Sequence, residues 1–313
     1  MYIADFFKNL FKKNNIGVII WLVANILLLV AMFSNGFTDW EGALWAVVLY
    51  AASMVIALSP VGEWILRLQN GCKKIKDQAV LERIMPLFEQ VYEKAKAENP
   101  ELGNNIGIFM NSDETPNAFA TGRKTLCITQ GLLRYSDEEI MGVLGHEFGH
   151  LAHKDTDIIL VVAVGNMIMS AIFVVIRVLA NVCMWIGEIM TAIFSRGWAG
   201  FFASIFIGLS RIIADFLLVL FMRLWTQIGV WLCMASSRQN EFAADRYSYS
   251  LGYGNGLYRV LQSFGNGGKK GNGLFASLAS SHPNTEKRLE RLREMGADGR
   301  EQLGWDQEPV NYL

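Results

Sequence analysis

Apolar and polar positions divide this chain into alternating blocks. Residues 17–34 (GVIIWLVANILLLVAMFS) carry no charge and are long enough to cross a bilayer, for which about 17–25 residues suffice. Residues 35–41 form a short turn with Asn35-Gly36, Asp39 and Glu41, and 42–62 are apolar again up to Pro60. Residues 77–98 are amphipathic at helical spacing. Ile106–Met110 and Thr125–Thr129 predict strands, with residues 117–122 between them as an edge strand. Residues 158–176 can span a membrane. Apolar character then continues past Arg177 to Phe194, broken by Glu188 and by a gap at Ser195–Gly200. Residues 201–235 are apolar once more, with Arg211, Asp215 and Arg223 inside. Residues 252–273 are rich in Gly and Asn and predict a flexible loop, Ser281-His282-Pro283-Asn284 starts a charged helix, and 297–313 predict a loose tail. The pattern describes a mainly α membrane protein with a small β-sheet and about four transmembrane helices. It divides into an N-terminal hairpin (1–66), a first polar part (67–157), a membrane insert (158–235), a second polar part (236–296) and the tail.

Composition supports the membrane assignment. Of 313 residues, 52% are hydrophobic and only 18% charged, too apolar for an ordinary soluble domain. A formal net charge of −1 gives no footprint for nucleic acid. The four cysteines show no C-x-x-C spacing, which argues against a disulfide framework and suits a reducing compartment for the soluble part. The turn at 35–41 has no Lys or Arg. Lys8, Lys12 and Lys13 precede the hairpin, and Arg67, Lys73, Lys74 and Lys76 follow it. Both flanks are therefore expected in the cytoplasm of a cell with the site on the inner membrane. The first apolar run is long for a signal peptide and lacks an A-x-A-like exit, so an uncleaved anchor is expected.

The chemistry lies between the apolar blocks. Ser136-Asp137-Glu138-Glu139 is a capping box, and Ile140, Val143, Leu144, Phe148 and Leu151 recur at helical spacing after it. Within this helix, Gly145-His146-Glu147-Phe148-Gly149-His150 reads H-E-x-x-H. His146 and His150, four apart, face the same way and can both reach one Zn²⁺. Glu147 can take a proton from water at that ion. The chain has four histidines, and three lie at 146, 150 and 153. Beyond the insert, Glu241 and Asp245 are also four apart. Glu241 can supply a third ligand, and Asp245 can hold a ligand imidazole from behind. His153 could compete for the ion.

If His150 and Glu241 bind one ion, both ends of the block between them lie on one membrane side, and the crossings within it are even in number. Two are expected, at about 158–180 and 214–235. The stretch between would be a far turn, an interfacial helix or an extension of the spans. The linker Lys154–Asp157 reaches at most roughly 14 Å, so the ion would sit close to the membrane face.

NAFATG at 117–122, GLL at 131–133, HEFGH at 146–150, RQNEFAAD at 238–245 and SHPNTEKR at 281–288 together resemble the HtpX-like membrane zinc metallopeptidases. The CAAX prenyl proteases are more distantly similar. The resemblance implies a gluzincin-like core with one zinc per subunit, held by His146, His150 and Glu241, with Glu147 as general base. It makes Asn117, Ala118 and Phe119 the substrate-binding edge, brings His282 to the oxyanion, and gives Arg288 a supporting part. Its implied partners are the lipid bilayer and membrane or misfolded proteins, cut at the cytoplasmic face in quality control. Three alternatives stay open: a non-catalytic zinc scaffold with His153 as fourth ligand, a CAAX-type processing protease, and a transporter using the charges at 177–223. The sequence does not give the oligomeric state.

Overall fold

The structure is a computed structural model that describes residues 2–11, 15–34, 39–194, 198–265 and 285–300. A short helix α1 (Tyr2–Leu10) precedes the helical hairpin α2 (Ile16–Phe33) and α3 (Trp40–Ala57). The apolar run expected to reach residue 62 stops at Ala57. Ser59 then caps α4 (Pro60–Gln69), accepting a hydrogen bond from the Val61 amide, and Pro60 occupies its first turn. Proline is favoured there because its missing N–H would have no helical partner.

The polar part begins with α5 (Gln78–Glu98), capped by Asp77. A three-stranded sheet follows: β1 (Gly107–Asn111), β2 (Ala118–Thr121) and β3 (Thr125–Thr129), in the order β1-β3-β2. β1 is parallel and β2 antiparallel to β3, with Ala118 opposite Ile128 and Ala120 opposite Leu126. β2 is thus an edge strand. A 3₁₀ turn at Gln130–Arg134 leads into α6 (Asp137–His153), where the Ser136–Glu139 capping box is formed as its spacing predicts. Ile84, Phe88 and Val91 of α5, Leu126 and Ile128 of β3, and Ile140, Leu144 and Phe148 of α6 share one core.

Lys154 ends α6 in a left-handed conformation, and α7 (Thr156–Phe194) starts two residues later. α8 (Trp198–Ser250) returns antiparallel to it without a break. At about 1.5 Å per residue the two helices are roughly 58 and 80 Å long, well beyond the ~30 Å hydrocarbon thickness. Among the described residues, four helical segments are apolar and long enough to cross a membrane: Ile16–Phe33, Trp40–Ala57, and Ser170–Thr191 and Gly200–Gly229 of α7 and α8. The latter two lie further along the hairpin than the expected 158–180 and 214–235. The reason is packing. Ile158, Leu160, Val161, Val162 and Val164 are buried against α1–α4, so their apolar character serves protein contact. The stretch between the expected spans is an extension of both helices. Charges along the two helices face one another: Arg177 of α7 is paired with Asp215 of α8, and Arg211 lies 3.5 Å from Glu188. A path for transported solute is not needed to account for these four.

The loop expected at 252–273 is corrected over its first half. Gly254–Gly265 forms helix α9. Leu257, Tyr258, Val260 and Leu261 are buried at i, i+1, i+3, i+4 spacing. A Cβ on Gly256 would lie 2.2 Å from the Glu138 carbonyl oxygen. Its glycine therefore permits close approach to α6 and does not break the helix. Residues 266–273 lie outside the described residues. Helix α10 (Thr285–Glu294) follows the motif at 281–284. The start of the supposed tail packs back: Ala297 is buried, and Arg259 of α9 donates to the carbonyls of Gly299 and Arg300.

Candidate metal centre and active site

Two helices build the centre, and small residues let them meet. A Cβ added at Gly149 would lie 2.8 Å from Ala244 Cα, and one at Gly145 2.9 Å from Ser248 Oγ. With hydrogen alone at these positions α6 lies tightly on α8. Its histidine face then meets the carboxylate face of Glu241 and Asp245.

His146, His150 and Glu241 bring one potential ligand atom each to within 4.8 Å of one another. The two Nε2 atoms are 3.1 Å apart on nearly perpendicular rings. Glu241 Oε2 lies 3.5 Å from His146 Nε2, and Oε1 lies 3.5 Å from His150 Nε2. Ligands bonded tetrahedrally to Zn²⁺ at about 2.0–2.1 Å are about 3.3–3.4 Å apart, so the spacing fits such an ion. The tautomers fit as well. His146 Nδ1 is 2.8 Å from Asp245 Oδ1, and His150 Nδ1 is 3.0 Å from Asp155 Oδ2. Each carboxylate holds an Nδ1–H and leaves the Nε2 lone pair pointing inward. Two such lone pairs 3.1 Å apart repel unless a cation or a proton lies between them.

Arg288 completes the cluster. The residue is 1% exposed. It donates to both Asp245 oxygens, Nε at 2.8 Å and Nη2 at 2.6 Å, and Nη1 lies 3.4 Å from Glu241 Oε2. Burial opposes charge on Asp245, but the Arg288 guanidinium outweighs it and holds the carboxyl well below its usual range. Burial and the Arg288 charge likewise oppose protonation of His146. Hydrogen bonds to Asp245 and Glu241 together outweigh them, and its pKa is raised. For His150 burial again opposes charge, but Asp155 and Glu241 drive the pKa well above the ordinary value.

Glu147 is 2% exposed, and its Oε2 accepts a 2.7 Å hydrogen bond from the Ala120 amide. This bond joins α6 to the edge strand. The Thr129 amide donates to the Asn117 carbonyl, so Asn117 faces β3. Alternation along the strand turns Ala118 and Ala120 outward and Phe119 inward. Ala118 thus turns its backbone groups to the edge of β2 beside Glu147, an edge that no other strand pairs with among the described residues.

His153 lies elsewhere: its ring is set against Tyr247, 6.0 Å between centroids, and among the described residues it is not part of the group of three. His282 lies outside the described residues. Asp155 was not singled out from sequence, although its place five residues after His150, just past the helix end, was a signal for it. Arg288 was expected only to support local structure, yet it lies 3.3 Å from His146 Nδ1.

The model of peptidase family M48 matches residues 78–296, well over half of the chain. Among curated relatives, a protease HtpX homolog of Methanocaldococcus jannaschii is 29% identical, over 80% of this chain and 87% of its own. The protease HtpX of Pseudomonas putida is 28% identical, over 92% of this chain and 98% of its own. Among solved structures, that of S. mikatae Ste24p matches with a TM-score of 0.38 at 21% identity, over 87% of this chain and 61% of that one. The chain belongs to peptidase family M48, as a membrane metalloprotease.

Proposed function

We propose that this protein is a zinc-dependent endopeptidase of the inner, cytoplasmic membrane. It hydrolyses peptide bonds of membrane, membrane-proximal or misfolded proteins at the cytoplasmic face, in protein quality control. The observation that carries the reading is the convergence of His146, His150 and Glu241 beside the buried Glu147, under the free edge of β2. Orientation follows from the basic residues that flank the first hairpin and are missing from its turn.

Zinc held by His146, His150 and Glu241 supplies a Lewis acid that polarises a carbonyl and makes water nucleophilic near neutral pH. Asp245 and Asp155 hold the two imidazoles in the ligating tautomer. Ala118 pairs with the peptide backbone as a neighbouring strand would, with Asn117 and Phe119 completing the substrate edge. The Ala120 amide fixes one oxygen of Glu147. The carboxylate takes the proton of the attacking water and passes it to the leaving amine. Arg288 offsets the negative charge of Asp245 and Glu241. His282, six residues before Arg288 in the same motif, contributes to stabilising the oxyanion, an effect worth several kcal/mol where such donors are preorganised.

The test is digestion of casein by the full-length protein in detergent, before and after chelation and with zinc restored. Loss and recovery of cleavage in step with metal content is the expected result. Correctly folded protein that binds zinc and never cleaves would make it a scaffold. Proteomic comparison of cells carrying wild type or Glu147→Gln then identifies the membrane proteins that accumulate.

A further inference from the structure

The turn between β2 and β3 is held by residues of α4 and of the first turn of α7, which adjoin the candidate membrane spans. Glu63 lies in α4, six residues after the end of the N-terminal hairpin, and is 5% exposed. Its Oε1 accepts from the Lys124 amide at 3.1 Å and the Thr125 hydroxyl at 2.6 Å, and its Oε2 from the Arg123 amide at 3.3 Å. Three successive residues of the turn thus converge on one carboxylate, which satisfies its buried oxygens. Gly122 takes φ +57°, and a Cβ there would lie 2.4 Å from Glu63 Oε2. The turn is shaped to the carboxylate at the one position where a side chain would displace it.

A second anchor comes from α7. Thr156 donates its hydroxyl to the Gly122 carbonyl at 2.5 Å, and the Arg123 guanidinium pairs with buried Asp157 at 2.6 and 3.2 Å. Two residues before Gly122 stands Ala120, whose amide holds Glu147. α4 is itself docked on the sheet. Arg67 stacks over Phe109, and Asn111 of β1 donates to the Asn70 carbonyl. The position of β2 relative to the catalytic helix is therefore fixed from the membrane side.

We propose that Glu63 is a positioning residue for substrate, setting the height and register of the β2 edge beside Glu147 and so the strength with which a peptide strand is bound. The proposal rests on the reading above, in which the peptide pairs with β2. Glu147 and the three ligand residues are carried by α6 and α8, which bring no atom to the Glu63 carboxylate in any of these hydrogen bonds. Loosening the turn therefore weakens chiefly the pairing of the peptide with β2, a contact made alike in ground state and transition state, and such a loss falls mainly on KM; what reaches Glu147 passes only through the Ala120 amide, so kcat falls less.

The experiment uses the full-length protein in detergent with a fluorogenic peptide. Glu63→Gln keeps the shape and presents an NH₂ to at least one of the turn's donors. Thr125→Val removes a single donor and guards against a folding defect in the first variant. The expected result is a KM raised about tenfold for Glu63→Gln, the size of one charge-assisted hydrogen bond, and raised less for Thr125→Val. kcat is expected within threefold of wild type with zinc content unchanged, and the melting temperature lowered by no more than the few degrees that one buried unpaired donor costs. KM values equal to wild type in both variants overturn the proposal, as does a fall in kcat with KM constant. A separate arm uses wild type and a peptide N-methylated at single amides around the scissile bond. Unimpaired cleavage of every such peptide removes strand pairing itself and Glu63's role with it. Impaired cleavage with KM unmoved by both variants rejects Glu63 alone.

Discussion

On the proposed reading, in which Glu147 is the general base, its replacement by glutamine isolates the proton-transfer step. The carboxylate is buried on α6 and contributes no atom to the ligand group, so the three ligands are untouched. The bond with the Ala120 amide decides the size of the effect. At 2.7 Å it needs an acceptor, and glutamine has only one, its amide oxygen. That oxygen turns toward Ala120, and the NH₂ group turns toward the reacting water. An NH₂ is a donor only and accepts no proton. No base function survives, so the loss should approach the upper part of the 10²–10⁴-fold range for general acid–base catalysis, about 10³–10⁴-fold in kcat. β2 stays in place because the bond to Ala120 is kept, so KM is expected within about threefold. Purified wild type and variant are compared on one fluorogenic peptide, with zinc measured by mass spectrometry on the same samples. Turnover within tenfold of wild type at full zinc occupancy would refute the assignment of Glu147 as base. A variant that lost zinc would refute the placement of this side chain outside the ligand group.

Asp155→Ala frees the His150 ring to turn and should lower zinc affinity 10–100-fold, read by competition with a chromophoric chelator. Arg288→Met leaves Asp245 buried without its cation. Breaking such a pair costs about 3–5 kcal/mol, so the metal-free variant should unfold at markedly lower denaturant, and zinc should restore part of the loss. Gly256→Ala places a methyl against the Glu138 carbonyl. It should destabilise the protein by about 1–3 kcal/mol in denaturation experiments, without changing the metal-binding stoichiometry. In the metal-free protein the pKa values of His146 and His150 are raised above the ordinary 6.5. Their contribution to stability is then full below pH 6.5 and is lost as pH rises through the raised values. Zinc needs both imidazoles neutral. Its affinity should keep rising with pH above 6.5, with proton release measurable by calorimetry in buffers of different ionisation enthalpy.

What the sequence made legible was local. The capping box, the four-residue spacing of His146 and His150, and that of Glu241 and Asp245 are properties of one helix each, and helical geometry turns spacing into a shared face. The strands at 107–111 and 125–129 were readable for the same reason. What remained hidden depends on partners far along the chain. Glu63 is 62 residues from Thr125, and a carboxylate one turn into a helix reads as solvated until its donors are seen. Arg288 sits in a charged helix, TEKRLERLREM, whose pattern does not tell which arginine turns inward. Gly254–Gly265 reads as a loop yet folds as a helix, because glycine marks both loops and places where two backbones touch. Only the neighbouring Glu138 carbonyl separates the two meanings.

The charges of the centre explain why these scattered residues are needed together. Glu147, Glu241 and Asp245 are each at most 4% exposed, and among the described residues Arg288 is the cation buried with them. With neutral imidazoles the four sum to two negative charges. Burial makes such an excess costly, and a dication at the two Nε2 atoms and Glu241 cancels it. Without a dication, protons are the nearest substitute: against burial and the Arg288 charge, Asp245 and Glu241 raise the pKa of His146, and against burial, Asp155 and Glu241 raise that of His150. Arg288 sets the remainder. With it, one divalent ion neutralises these groups; without it, a negative charge persists even when metal is bound, facing the carbonyl oxygen that must itself become negative. The arginine therefore belongs to the electrostatics of the reaction as much as to the packing of α10, and its loss should slow turnover even at saturating zinc.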